Sequence, residues 1–172
     1  MSTFYTHLLL LIMVLSVSTC TNDKFEFEIK RFKESTSGQL TAKTSPSIST
    51  STYSFAAIGD LHISHSADNK ITQSFFDLLK SDPVDFVVSL GDITNTGKED
   101  QYNTFNTLLQ ASGIQYFYTV IGNHDIMFNG WDRFKKLFGP SVYHFNVGSE
   151  TYIILDSGNS TISNEQFNWL EI

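Results

Sequence analysis

From residue 53 onward, short apolar runs alternate with segments in which apolar side chains recur every three or four positions. Residues 53–58 predict a strand. Residues 70–80, with Ile71, Phe75, Leu78 and Leu79 on one face, predict a helix. After the breaker Pro83, residues 84–90 read as a second, buried strand, and residues 98–112 as a second helix carrying Tyr102, Phe105, Leu108 and Leu109 and stopping at Gly113. Residues 116–121 predict the third strand. A short helix over 131–138 stops at Gly139-Pro140. Residues 142–147 and 151–155 flank Gly148-Ser149 as an antiparallel pair, and residues 164–172 read as a last helix. Strand, helix and strand in succession imply an α/β fold with a parallel sheet.

Upstream the pattern differs. Residues 24–32 alternate Phe25, Phe27 and Ile29 with charged side chains, a period of two that predicts a half-exposed strand with no catalytic role. Residues 35–54 are rich in Ser and Thr and nearly devoid of large apolar side chains, which predicts a linker. Residues 8–15 are an unbroken apolar run, too short to span a bilayer but suited to a secretory signal. Val17-Ser18-Thr19-Cys20 resembles a bacterial lipoprotein box, which implies a lipidated Cys20 and membrane attachment. Thr19 is larger than the usual residue there and residues 1–7 hold no Lys or Arg, so an ordinary export signal is the other reading. Either way an exported protein of the cell envelope or medium is expected. The chain divides into a signal (1–19), a Ser/Thr-rich linker region (20–52) and a folded domain (53–172).

Composition narrows the classes. With 41% hydrophobic and 14% aromatic residues, the chain can bury a core and is not disordered. A formal charge of -7 excludes a nucleic-acid backbone as an evident partner. The short basic groups Lys30-Arg31 with Lys33, and Arg133 with Lys135-Lys136, are expected at the solvated surface. One cysteine, Cys20, excludes an intramolecular disulfide and a four-cysteine zinc site.

The chemistry sits at the strand ends. Each of the three strands terminates in glycine and then a potential ligand: Gly59-Asp60, Gly91-Asp92 and Gly122-Asn123. Parallel strands point their carboxyl ends to one edge, so Asp60, Asp92 and Asn123 should meet there. His62 shares an extended face with Asp60. Asp92 has two oxygens and can ligate two cations, while Asn123 offers a neutral carbonyl oxygen. This mixture of carboxylate, imidazole and amide suits Mn, Fe or Zn better than Ca or Mg. Two such cations would polarise a phosphoryl oxygen and acidify a water, which is the chemistry of phosphoester hydrolysis. His124 follows Asn123, and Asp125 is placed to fix its tautomer. His65 and His144 read as loop and strand residues respectively.

Asp60-x-His62, Gly91-Asp92 and Gly122-Asn123-His124-Asp125 together resemble the first three signature blocks of the calcineurin-like metallophosphoesterases. The likeness extends through Ile93-Thr94, Phe138-Gly139, Leu155-Asp156-Ser157 and Gln166-x-x-Trp169-Leu170, and is nearest to the bacterial branch with cyclic-nucleotide-type phosphodiesterases. Purple acid phosphatases fit less well, because they carry a tyrosine where this chain has Asn95. The resemblance implies a four-layer α/β/β/α sandwich, a phosphoester substrate and two divalent metal ions (Mn, Fe or Zn). Asp60 and His62 would bind the first, Asp92 would bridge, and Asn123 would bind the second. His124 and Asp125 would be the catalytic pair at the phosphate. The family's later Gly-His and Gly-His-x-His blocks are absent, which implies that only the N-terminal part of the domain is present. Two expectations follow: an apolar face around Tyr152 and Ile154 left exposed, and, as the alternative function, a non-catalytic remnant that serves binding or envelope attachment.

Overall fold

The computed structural model describes residues 23–36, 43–48, 52–64 and 69–171. The signal, Cys20 and His65 lie outside the described residues, and no described helix is long and apolar enough to cross a membrane. The elements in order are α1 (Asp23–Thr36), β1 (Phe55–Ile58), α2 (Lys70–Ser81), β2 (Phe86–Ser89), α3 (Glu99–Ser112), β3 (Phe117–Thr119), α4 (Gly130–Phe138), β4 (Tyr143–Val147), β5 (Glu150–Ile154) and α5 (Asn164–Leu170). A three-stranded parallel sheet runs in the order β1-β2-β3, and β4 and β5 form a separate antiparallel pair. The fold is α/β, as the alternation predicts.

The two sheets pack face to face. Phe86, Val88 and Tyr118 on the parallel sheet meet Tyr143, Phe145, Val147 and Ile154 on the antiparallel pair. Tyr118 stacks on Phe145 with ring centroids 3.5 Å apart, and Phe145 stacks in turn on Tyr152. Each fully buried aromatic or aliphatic side chain here contributes about 1.5–3 kcal/mol. Tyr152 and Ile154 therefore face the parallel sheet within the chain. The exposed apolar face expected around them is instead β1, where Phe55 stacks on Phe86 but keeps 43% of its surface in water. The opposite face of the parallel sheet is covered by α2 and α3 through Phe76, Phe105 and Phe117.

Tyr143 joins the sheets by more than area. Val120 N–H donates to Ser89 O, so the Thr119 N–H and C=O face away from β2. The Tyr143 hydroxyl accepts from that N–H at 2.8 Å and donates to that carbonyl at 2.9 Å. An otherwise orphaned pair at the sheet edge is satisfied, and burial pushes the phenol up.

Four expectations are corrected. The alternating stretch over 24–32 is helical, not extended, and among the described side chains of α1 it is a polar stripe that is buried. Glu28, Arg31 and Ser35, at helical spacing, are all buried, and hydrophobic periodicity cannot register such a face. Arg31, expected at the surface, is an internal cation. The Ser/Thr-rich region is also no free linker where it is described. Lys43 N–H donates to His144 O, Thr44 O accepts from the Tyr118 hydroxyl, and Ser45 Oγ accepts from Asn146 N–H. Backbone and hydroxyl groups attach it to the rim of β4, a role that composition does not reveal.

The fourth correction concerns α2, which buries Thr72, Phe76 and Leu79 and leaves Ile71 78% exposed. Five apolar residues among twelve allow two overlapping faces, and the sheet selected the one centred on Phe76. His144 lies half-buried on β4 opposite Ile153, a strand residue as expected.

Candidate metal centre

The carboxyl ends of β1, β2 and β3 open into three loops held to one another by backbone pairing. Asp60 N–H donates to Gly91 O, His62 N–H to Asp92 O, and Ile63 N–H to Ile93 O, so the first loop runs beside the second. Ile63 and Thr94 complete it as an isolated parallel bridge. The third loop closes through His124 N–H, which donates to Asp92 Oδ1 at 2.9 Å.

Glycine permits this approach at two points. Gly91 has φ +100 and its missing Cβ would lie 3.0 Å from Gly122 N, while a Cβ on Gly122 would overlap the Asp92 carboxylate. Only a residue without a side chain lets the second and third loops touch. Three of the predicted ligands themselves occupy the left-handed region: Asp60 at φ 55, His62 at φ 43 and Asp92 at φ 51. Such backbone is uncommon for residues other than glycine and clusters at functional sites.

Ligand atoms of His62, Asp92 and His124 all lie within 4.8 Å of one another. The two imidazoles meet edge to face, with ring centroids 4.5 Å apart at 85°. His124 Nδ1 lies 2.6 Å from Asn95 O. A carbonyl oxygen can only accept, so Nδ1 carries the proton and Nε2 is left for a ligand or substrate. Two imidazoles and a carboxylate in one partly buried cluster are a donor set that fits a borderline divalent cation.

The remaining predicted residues are placed differently. Asp60 stands at the margin of the cluster, with its carboxylate 3.6 Å from His62 Nε2 and 74% of its side chain exposed. Asn123 is exposed at the turn that follows Gly122. Asp125 does not orient His124; Asn95 O has that role. The Asp125 carboxylate is fully buried and accepts instead from Thr94 N–H and Thr94 Oγ1, each at 2.9 Å, and from Gly122 N–H at 3.0 Å, with Ile93 N–H at 3.4 Å. It ties the second loop to the third from below.

Burial pushes the Asp125 carboxyl up, against the hydrogen bonds from Thr94 and Gly122 that favour its charged form, while the charge of Asp92 adds to the rise. The Tyr102 hydroxyl donates to Asp125 O at 2.8 Å, anchoring the same turn to α3, and burial likewise raises this phenol. The contribution of Asn95 carries no sequence signal, because it is made by a backbone carbonyl. Thr94 is part of the family likeness in sequence, but its role as a strut to Asp125, made by its N–H and its hydroxyl, is not given by residue type.

A family model described as calcineurin-like phosphoesterase matches residues 53–172. A curated protein of Fibrobacter succinogenes (strain ATCC 19169 / S85), named "Probable cyclic nucleotide phosphodiesterase", is 26% identical to the chain over 125 residues. The alignment covers 66% of this chain and 48% of that protein, so the chain spans about half the length of the curated relative it matches.

Proposed function

The chain belongs to the calcineurin-like phosphoesterase family, and on that basis we propose that it acts in metal-dependent hydrolysis of phosphoesters at the carboxyl edge of β1–β3. The observation that carries this reading is the convergence of His62, Asp92 and His124 ligand atoms within 4.8 Å, on three loops that the parallel sheet aims at one place. Phosphodiesters of the cyclic-nucleotide type are the proposed substrate class, supported by the name of the Fibrobacter relative.

Divalent cations, when bound, would supply polarisation of a phosphoryl oxygen and a water acidified toward neutral pH. Asp60 and His62 would hold one cation, Asp92 would hold it jointly with a second, and Asn123 would complete the second through its carbonyl oxygen. Asp92 Oδ1 already accepts from His124 N–H, so the carboxylate is oriented before any ligand arrives. His124 keeps its Nδ1 proton on Asn95 O, and in its cationic form donates from Nε2 to a phosphoryl oxygen or to the departing alkoxide.

A second reading is favoured by the compactness of the cluster: in its neutral form, His124 Nε2 presents a lone pair and joins His62 and Asp92 around a single cation. Mn(II) titration followed by calorimetry, with hydrolysis of bis-p-nitrophenyl phosphate measured in parallel, decides among the readings. Two equivalents bound, with His124→Ala keeping them and losing turnover, support the two-cation arrangement. One equivalent, lost in His124→Ala, supports the single-cation one. Turnover no greater than that of Asp92→Asn in any divalent metal refutes the hydrolase and leaves a binding module.

A further inference from the structure

We propose that Arg31, which lies outside the family-matched residues 53–172, is a positioning residue for the turn that carries Asn123 and His124. The inference rests on the reading of that turn as the reactive site. Arg31 donates from Nε to Asp156 Oδ2 at 2.7 Å and from Nη2 to Asp156 Oδ1 at 2.9 Å, a two-pronged ion pair whose side chains are 3% and 0% exposed. Such fork-to-fork pairing fixes orientation as well as distance.

Asp156 in turn shapes the chain after β5. Its Oδ1 accepts from Gly158 N–H at 3.1 Å, and its backbone N–H and C=O are both taken by the Gln166 side chain, at 2.8 and 2.7 Å. Gln166 Nε2 also donates to Glu28 Oε1 and Ser163 N–H donates to the same oxygen, so α1 contributes a second buried partner to the network. Gly158 is thereby placed beside the segment that follows β3. A Cβ on it would sit 3.4 Å from Gly122 O and 3.5 Å from Ile121 O.

The path is continuous and short. The guanidinium of Arg31 holds the Asp156 carboxylate, the carboxylate holds the Gly158 N–H, and Gly158 lies beside the Ile121 and Gly122 carbonyls, immediately before Asn123 and His124, close enough that a single added Cβ would touch both. Asp125 ties the turn through Gly122 N–H, and the Asp156–Gly158 segment lies next to the carbonyl of the same Gly122. Removing the guanidinium leaves a fully buried carboxylate without its cation, and the carboxylate must then move toward water or be neutralised. Either change disturbs the segment beside Gly122. Ser35, one turn further along α1, holds Ser141 N–H at 3.0 Å and keeps the helix in register over the start of β4.

The test uses the full 172-residue chain in four forms: unmodified, Arg31→Met, Arg31→Lys and Glu34→Gln. Glu34 serves as the control, because it binds Trp131 Nε1 and Lys135 Nζ on α4, away from Asp156. Amide hydrogen exchange is measured without added metal, and Mn(II) affinity by electron paramagnetic resonance. Arg31→Met should speed exchange at Gly122 and His124, whose N–H groups bond Asp125 and Asp92, by about tenfold, and weaken Mn(II) binding by a similar factor. Arg31→Lys, which keeps the charge but loses the fork, should fall between. Glu34→Gln should lower the melting temperature with neither effect.

Exchange that speeds only within 23–36 and 155–166 would overturn the proposal and leave Arg31 as a packing residue of α1. If Arg31→Met fails to fold, Arg31→Lys is judged by the same criterion. An unmodified chain that binds neither Mn(II) nor, by calorimetry, Fe(II) or Zn(II) refutes the metal-dependent reading, and the exchange rates then decide the role of Arg31 alone.

Discussion

Replacing Asp125 separates two accounts of the tetrapeptide at the end of β3. As the partner of His124 the carboxylate would matter to chemistry and little to folding; as the strut between the second and third loops it matters to both. Asp125→Ala orphans the buried Thr94 N–H and the half-buried Gly122 N–H, and strips Thr94 Oγ1 of its acceptor. Each buried donor left without a partner costs about 1–3 kcal/mol. Relief of carboxylate desolvation, visible in the raised Asp125 pKa, offsets part of that loss. The net expectation is a loss of roughly 3 kcal/mol, which for a chain of this length lowers the melting temperature by about 6–12 °C.

Asp125→Asn is milder but not neutral. Its oxygen can keep the two Thr94 bonds, while its amide must face Gly122 N–H, donor against donor, at roughly 2 kcal/mol. Circular-dichroism melts of both variants give the magnitudes, and long-range nitrogen-15 spectra of folded Asp125→Asn report the His124 tautomer. The carbonyl of Asn95 is the orienting group, so His124 should remain protonated at Nδ1. A melting shift under about 2 °C for Asp125→Ala, or a His124 proton that moves to Nε2 in Asp125→Asn, would refute the strut.

Two further outcomes follow from buried polar groups. Burial raises the Glu28 carboxyl above 4.5, with hydrogen bonds from Gln166 and Ser163 opposing and the Asp156 charge adding to the rise. Folded chains therefore hold a proton that unfolded chains have already lost, and the stabilisation this gives is full below 4.5 and disappears as pH climbs through the folded value. Melts of Glu28→Gln and of the unmodified chain, compared from about pH 4 to about pH 7, should diverge in favour of the variant as pH rises; a constant gap would contradict the burial argument. Tyr143→Phe loses both bonds to Thr119 and should cost roughly 2–3 kcal/mol, whereas Tyr118→Phe, which forfeits one bond to Thr44 O, should cost about 1 kcal/mol. Equal melting temperatures for the two variants would show that the β3 edge does not depend on the phenol.

What the sequence disclosed and what it hid divide along a physical line. Elements whose stability comes from apolar burial were legible: the three parallel strands, the α3 stripe of Tyr102 and Phe105, and the antiparallel pair around Gly148 all stand where periodicity puts them. The convergence of the loops that carry Asp60, Asp92 and Asn123 was legible for a related reason, since parallel topology alone delivers strand ends to one edge. Elements held by polar pairing were not. The helix α1 buries Glu28 and Arg31, residues that a hydrophobic pattern scores as exposed, and the 43–48 segment docks through backbone and hydroxyl groups. The partner of His124 was missed because adjacency in sequence favoured Asp125, whereas the turn carries that carboxylate under the loops and brings the carbonyl of Asn95 to the ring.

The left-handed backbone at Asp60, His62 and Asp92 sets two selective pressures against each other at the same three codons. Glycine at Asp60 or His62 would relieve conformational strain on the order of 1 kcal/mol and delete a candidate ligand, while at Asp92 it would relieve the same strain but also remove the acceptor of His124 N–H. A screen for thermal stability alone would therefore enrich variants with a disabled centre, and their higher melting temperatures would disguise the loss. Conversely, a lineage that retains non-glycine residues at these positions does so against the preference of its own backbone, so their persistence would record demand for the ligands rather than for the fold.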